Sequence, residues 1–236
     1  MIDILYKRFA IPFSQEVLEN CLSTMPAFIG EKIQRYRRWE DRQAGLIGKL
    51  LLKEALAGHG YGSDCLSKLQ TDSYGRPQVG GAVDFNISHS GEFVVCAITS
   101  LGRVGVDIEC IRDMDISGFQ RYFSQESWQE ISASVKDLRC FFDHWTMRES
   151  VIKADGRGLS VPLKELNVKE GKVVLDSKIW HLKKVELSSS YCCHLATDIE
   201  NAELHINIAA NSMIIGHINS SGSRDRLKCC GRLTPE

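Results

Sequence analysis

No apolar run in this chain approaches the roughly 20 residues needed to cross a bilayer. No excess of charge marks a nucleic-acid or membrane surface either: 29 Lys and Arg stand against 30 Asp and Glu, for a formal net charge of −1. Zinc-type cysteine spacing is also missing. The nine cysteines include two vicinal pairs, Cys192–Cys193 and Cys229–Cys230, but no CxxC. An odd number without a framework pattern, in a chain that is not short, reads as reduced thiols in a cytoplasmic protein rather than a disulfide scaffold. The opening Met1-Ile-Asp-Ile-Leu-Tyr-Lys-Arg8 lacks a basic region followed by an apolar one. It is therefore expected to be a first strand and not a signal peptide.

What is present is ordinary for a globular protein with a real core: 236 residues, 43% hydrophobic and 25% charged. Residues 14–24 form an expected helix opened by Ser14 as N-cap. A basic stretch from Glu31 to Arg42, carrying Lys32, Arg35, Arg37, Arg38 and Arg42, is expected to run on as one long helix to Gly58-His-Gly60. A Gly75-Arg-Pro77 turn follows. Val83, Phe85 and Ile87 then alternate as a strand, Ser88-His-Ser-Gly91 is expected to turn, and Phe93–Ile98 reads as a buried strand. Ser124 is a second expected N-cap, and the Leu138–Ala154 helix ends at Gly156 and Gly158. Strand-like stretches continue to about Ile218, and residues 219–236 read as a disordered tail. Hairpins interspersed with helices indicate an α+β class with antiparallel sheet.

Two segments carry chemistry. In Gly105-Val-Asp-Ile-Glu109, Val104, Val106 and Ile108 alternate with Gly105, Asp107 and Glu109. A strand with that pattern projects both acids from one face. In Trp145-Thr-Met-Arg-Glu-Ser-Val-Ile-Lys153, Glu149 and Lys153 share a helix face at i and i+4. Either pair alone reads as a solvated surface feature. Glu149, however, falls on the apolar stripe formed by Leu138, Phe142, Trp145 and Ile152, where an uncompensated carboxylate is costly. A strand with two acids beside a helix with an acid and a lysine suits a magnesium–phosphate site, since Mg²⁺ takes a few carboxylates plus substrate phosphates.

Gly75-Arg-Pro77, Phe85-Asn-Ile-Ser-His-Ser-Gly91, Gly105-Val-Asp-Ile-Glu109, Tyr122-Phe-Ser124 and Trp145-Thr-Met-Arg-Glu149 with Lys153 and Gly156 occur in that order. Over roughly residues 28–165 the set resembles the 4′-phosphopantetheinyl transferases of the surfactin-synthetase-activating type. That resemblance implies two similar lobes related by a pseudo-twofold, each a small antiparallel sheet packed with helices: residues 1–103 binding coenzyme A and 104–218 carrying the metal and catalytic residues. It implies magnesium-dependent transfer of the phosphopantetheine arm of coenzyme A to a serine of an apo acyl or peptidyl carrier protein, with release of adenosine 3′,5′-bisphosphate, by a monomer. It also implies roles. Asp107, Glu109 and Glu149 would hold the metal. Glu149 would also serve as general base, and Lys153 would neutralise the pyrophosphate. Ser88 and His89 would contact the nucleotide phosphates. Lys32 and Arg76 would grip the 3′-phosphate.

The chain departs from the family pattern at four places. Phe28-Ile-Gly30 is uncharged where relatives carry a further lysine, and Gly45 stands in place of a hydroxyl residue. Arg148 replaces a lysine, and Ser150 an alanine. Asn86 reads as a turn-stabilising amide, and Phe119, Tyr122 and Phe123 as core, with residues 112–123 as a candidate carrier-docking surface. Two other readings compete: a magnesium-dependent nuclease or phosphohydrolase, and a non-catalytic module that only binds carrier protein.

Overall fold

The computed structural model describes residues 1–134 and 137–209, so the expected tail lies outside the described residues. The chain is α+β, with β1 (Ile2–Arg8), α1 (Gln15–Ser23), α2 (Ala27–Gln34), α3 (Trp39–Gly58) and a short ribbon of β2 (Gln70–Thr71) and β3 (Pro77–Gln78). There follow β4 (Asp84–Ser90), β5 (Phe93–Thr99), β6 (Val104–Cys110), α4 (Gln125–Ala133) and α5 (Arg139–Asp155). The described chain ends with β7 (Lys172–Leu175), β8 (Lys178–Lys184), β9 (Tyr191–Thr197) and β10 (Leu204–Ile208). No helix of the described residues is long and apolar enough to cross a membrane.

The helix ends follow their sequence signals. Ser14 Oγ accepts from Val17 N–H at 3.3 Å and Ser124 Oγ from Ser127 N–H at 3.3 Å, each satisfying an amide that the first turn leaves unpaired. Gly156 closes α5 at φ +95°, a left-handed position that a side chain would strain. The single long helix expected from residue 31 to 58 is instead two, α2 and α3. Arg38 takes an extended backbone (φ −85°, ψ 141°), and Glu40 and Asp41 in the first turn of α3 suit the positive end of a helix dipole. Tyr36, in the break, folds back over Gly45, whose added Cβ would lie 3.3 Å from the Tyr36 ring.

One sheet has the order β10-β1-β5-β4 and the other β6-β9-β8-β7. β10 joins the first sheet in parallel with β1, although its residues lie far along the chain. Helices α1–α3 cover one face of the first sheet through Leu46, Leu50, Val94 and Cys96. Its other face packs on the second sheet through Ile2, Ile4, Val95, Val106, Ile108 and Leu195. Helix α5 covers the far side of the second sheet through Val151, Ala154 and Trp180. Buried on both faces, β5 (Phe93-Val-Val-Cys-Ala-Ile-Thr99) has no exposed residue, which explains why it lacks the alternation of its neighbours.

The edge strands β4 and β6 meet through side chains instead of a backbone ladder. Val104 N–H donates to Asp84 Oδ2 (2.7 Å), Val106 N–H to Asn86 Oδ1 (3.0 Å), Ile108 N–H to Ser88 Oγ (3.3 Å) and Cys110 N–H to Ser90 Oγ (3.1 Å). Every second residue of β4 thus satisfies every second amide of β6, which would otherwise be buried without a partner. Two sequence expectations are corrected here. The Ser88–Ser90 stretch continues the strand, with the reversal at Gly91-Glu92, and Asn86 belongs to the seam between the sheets, not to a turn.

Candidate active site

The seam also orients the acids. Each serine that accepts a β6 amide donates its own hydroxyl to a β6 carboxylate: Ser88 Oγ to Asp107 Oδ1 at 3.1 Å, and Ser90 Oγ to Glu109 Oε2 at 2.7 Å. Helix α5 then lies directly on β6, because Gly105 has no side chain. A Cβ there would stand 2.8 Å from Ala154 Cα and closer still to the Ser150 carbonyl and the Ala154 amide. Lys153, next to Ala154, reaches Asp107, and Glu149, one turn before Lys153, lines the same cavity as the acid pair. Lys153 Nζ lies 2.5 Å from Asp107 Oδ1 and donates to Ser88 Oγ at 3.0 Å.

Ser88, His89, Asp107, Glu109, Glu149 and Lys153 line one cavity of about 400 Å³, together with Ile87 and Trp145. Six of the residues singled out in the sequence therefore meet. Burial pushes the Glu149 carboxyl up, and the Asp107 and Glu109 charges add to this, with Lys153 opposing. The Glu109 carboxyl is likewise raised, first by burial and further by Asp107, against the Ser90 hydrogen bond. Burial holds the His89 imidazole below its usual range, so at neutral pH it offers both an N–H donor and a lone pair.

The donor set has the chemistry of a hard-cation site: carboxylate oxygens crowded in a half-buried cleft, short of positive charge. Asp107 Oδ2 is buried and has no hydrogen-bond partner, which leaves an acceptor ready for a cation. As the side chains stand, no three acid, histidine or cysteine residues among the described residues converge closely enough to hold a metal ion. The Lys153 ammonium is the positive charge that Asp107 meets.

A second cavity, of about 540 Å³, adjoins the first through Ile87 and His89, which line both. Lys32 lines it, together with Tyr36, Gly45, Phe85 and Lys49 from α3. Arg76 does not. Its side chain is 6% exposed, and one nitrogen, Nη2, donates to Asp84 Oδ2 (2.8 Å), Val104 O (2.8 Å) and Phe85 O (3.2 Å). Arg76 is therefore not among the expected site residues that the structure brings together: its guanidinium clasps β4 to β6, at the Asp84–Val104 end of the seam. Arg148, which stands where relatives carry a lysine, is not part of this cavity either. It is 1% exposed, donates to Ser127 Oγ (2.8 Å) and His144 O (3.0 Å), and lies 5.1 Å over the Phe123 ring.

Phe119 packs edge-on to Phe141 and Trp145 at centroid distances of 5.2 and 5.4 Å, and Phe123 is buried. Sequence reasoning did not single out Ser90 and Lys49. The polar alternation Asp84, Asn86, Ser88, Ser90 was a signal for the first. Nothing local marks Lys49.

Known proteins resemble the chain over most of its length. A family model described as 4′-phosphopantetheinyl transferase superfamily matches residues 103–209, and one described as 4′-phosphopantetheinyl transferase, N-terminal, matches residues 12–101. The chain is 31% identical over 191 residues to the 4′-phosphopantetheinyl transferase Sfp of Bacillus subtilis (strain 168), covering 76% of this chain and 85% of the relative. Identity to a 4′-phosphopantetheinyl transferase of Bacillus subtilis is 34% over 163 residues, 67% of this chain and 72% of the relative. For the 4′-phosphopantetheinyl transferase gsp of Aneurinibacillus migulanus it is 28% over 217 residues, 86% of this chain and 90% of the relative.

Proposed function

Because this chain belongs to the 4′-phosphopantetheinyl transferases of the Sfp type, and is thus a transferase enzyme, we propose that it moves the phosphopantetheine arm of coenzyme A to a serine of an apo acyl or peptidyl carrier protein and releases adenosine 3′,5′-bisphosphate. One observation carries the reading. A cavity lined by Asp107, Glu109, Glu149 and Lys153 shares Ile87 and His89 with a second, larger cavity lined by Lys32 and Lys49 and large enough for a nucleoside.

Phosphoryl transfer asks a protein mainly to position groups and to neutralise spreading charge. Lys153, fixed by Asp107 and Ser88, presents an ammonium to the pyrophosphate and stabilises the charge that collects on the leaving phosphate. Glu149 takes the proton of the carrier serine, a weak nucleophile until a base removes it. Burial and the neighbouring Asp107 and Glu109 charges raise the Glu149 carboxyl, which makes it a stronger proton acceptor than a solvated glutamate. His89, at the junction of the two cavities, donates to a phosphate oxygen as a neutral imidazole. Asp107, Glu109 and Glu149 would hold a magnesium ion, which supplies charge neutralisation across the phosphates when bound. The free thiols of the seven described cysteines agree with a reducing, cytoplasmic setting.

The test is intact-mass spectrometry of an apo carrier protein incubated with this enzyme, coenzyme A and Mg²⁺. The expected result is a gain of one phosphopantetheine mass, abolished by EDTA and restored by added Mg²⁺. Coenzyme A hydrolysis or nucleic-acid cleavage with no carrier modification would overturn the reading.

A further inference from the structure

We propose that Lys49, acting with Lys32, grips the 3′-phosphate of coenzyme A, and that Lys49 sets the preference for coenzyme A over dephospho-coenzyme A. This rests on the coenzyme A reading above and assigns the cations it needs at the nucleotide end.

The second cavity holds two lysines and no carboxylate among its described lining residues. Neither Lys32 nor Lys49 has a hydrogen-bond or ion-pair partner among the described residues, whereas Arg35 and Arg38, on the same stretch, pair with Glu31 and Glu40. Lys49 is not a solvated surface lysine. It sits on the half-buried face of α3 one turn from Gly45, and Gly48 beside it lies so close to β4 that an added Cβ would be 3.1 Å from Ile87 Cγ2. Burial holds its ammonium below the usual lysine range, and the Lys32 charge lowers it further.

Two like charges facing one partly dehydrated cavity repel until an anion lies between them. A phosphomonoester, close to a dianion at neutral pH, balances both and takes several charge-assisted hydrogen bonds. The neighbouring cavity accounts for the pyrophosphate end of the ligand, so the second anionic group of the same molecule falls to this one. Arg76, the other cation expected here, is engaged in the seam. Lys49 also answers one departure in the sequence. The lysine absent from Phe28-Ile-Gly30 is supplied from α3, where Lys49 lines the same cavity as Phe28 and Lys32.

The experiment is isothermal titration calorimetry of the whole protein with coenzyme A and with dephospho-coenzyme A, for wild type, Lys49→Met and Lys49→Arg. The wild type is expected to favour coenzyme A by about tenfold or more, the scale of a lost charge-assisted contact. Lys49→Met should lose most of that preference, with dephospho-coenzyme A affinity unchanged within about twofold, and Lys49→Arg should keep it. The ligand-free Lys49→Met protein should melt no lower than wild type, because an unpaired, half-buried charge has been removed. Equal losses for both ligands, an unchanged preference, or a lower melting temperature would overturn the assignment while leaving the transferase reading intact. A wild type that binds neither ligand would instead overturn the coenzyme A reading, and this assignment with it.

Discussion

Gly105→Ala should disable the enzyme without touching a single reacting group. The three atoms nearest an added Cβ are all α5 backbone, and the most distant of them, Ala154 Cα, is 2.8 Å away against the 3.4 Å at which ordinary contact begins. No rotamer change relieves a clash with backbone, so α5 must retreat from β6 by at least about 0.6 Å, and further to clear the Ser150 carbonyl and Ala154 amide. Overpacking of this kind costs about 1–3 kcal/mol, or roughly 2–10 °C in melting temperature for a protein of this size. The larger effect falls on the site. Lys153 and Glu149 ride on α5, whereas Asp107 and Glu109 stay on β6, and the Lys153–Asp107 contact is only 2.5 Å long. A misplacement approaching 1 Å costs about 100-fold in rate, so kcat should fall about ten- to a hundredfold with the Michaelis constant for carrier little changed. The assay is carrier loading at 20 °C, where the variant stays folded, alongside scanning calorimetry. Gly30→Ala is the control. Its Cβ meets nothing within 4 Å, so it should keep full activity and gain about 0.5–1 kcal/mol from helix propensity. A Gly105→Ala enzyme with wild-type turnover and melting temperature would refute the reasoning.

Glu149→Gln and Asp107→Ala should each lower turnover by about 100-fold or more while circular dichroism and melting remain close to wild type. Near-normal rates in either would remove the acids from the mechanism. Arg76→Lys should act on stability and not on the nucleotide: about 2–4 kcal/mol is lost in denaturant titration, since lysine cannot reach Asp84, Phe85 and Val104 together, and the ratio of coenzyme A to dephospho-coenzyme A affinity stays at the wild-type value. Arg148→Lys should likewise cost about 2 kcal/mol by giving up the paired contacts to Ser127 and His144 that tie α4 to α5, and equal stability in urea would count against a structural role.

Much of this protein is settled within short stretches of chain. The caps at Ser14, Ser124 and Gly156, the pairing of Asp107 with Glu109 on one strand face, and the spacing of Glu149 and Lys153 on one helix face all follow from steric preference and repeat period. These act between residues a few positions apart. The resemblance to the transferases rests on such stretches too, taken in order. Tertiary structure decided which charges meet. Arg76 and Lys49 are both basic residues in the first half of the chain. One is consumed by Asp84 and two carbonyls across the seam, and the other is left facing a cavity with no acid in it. The side-chain seam itself, the parallel addition of β10 to β1 and the near contact of α5 with Gly105 likewise depend on surfaces distant in sequence. A buried polar group must find its partner wherever the fold brings one, and no local pattern states where that is.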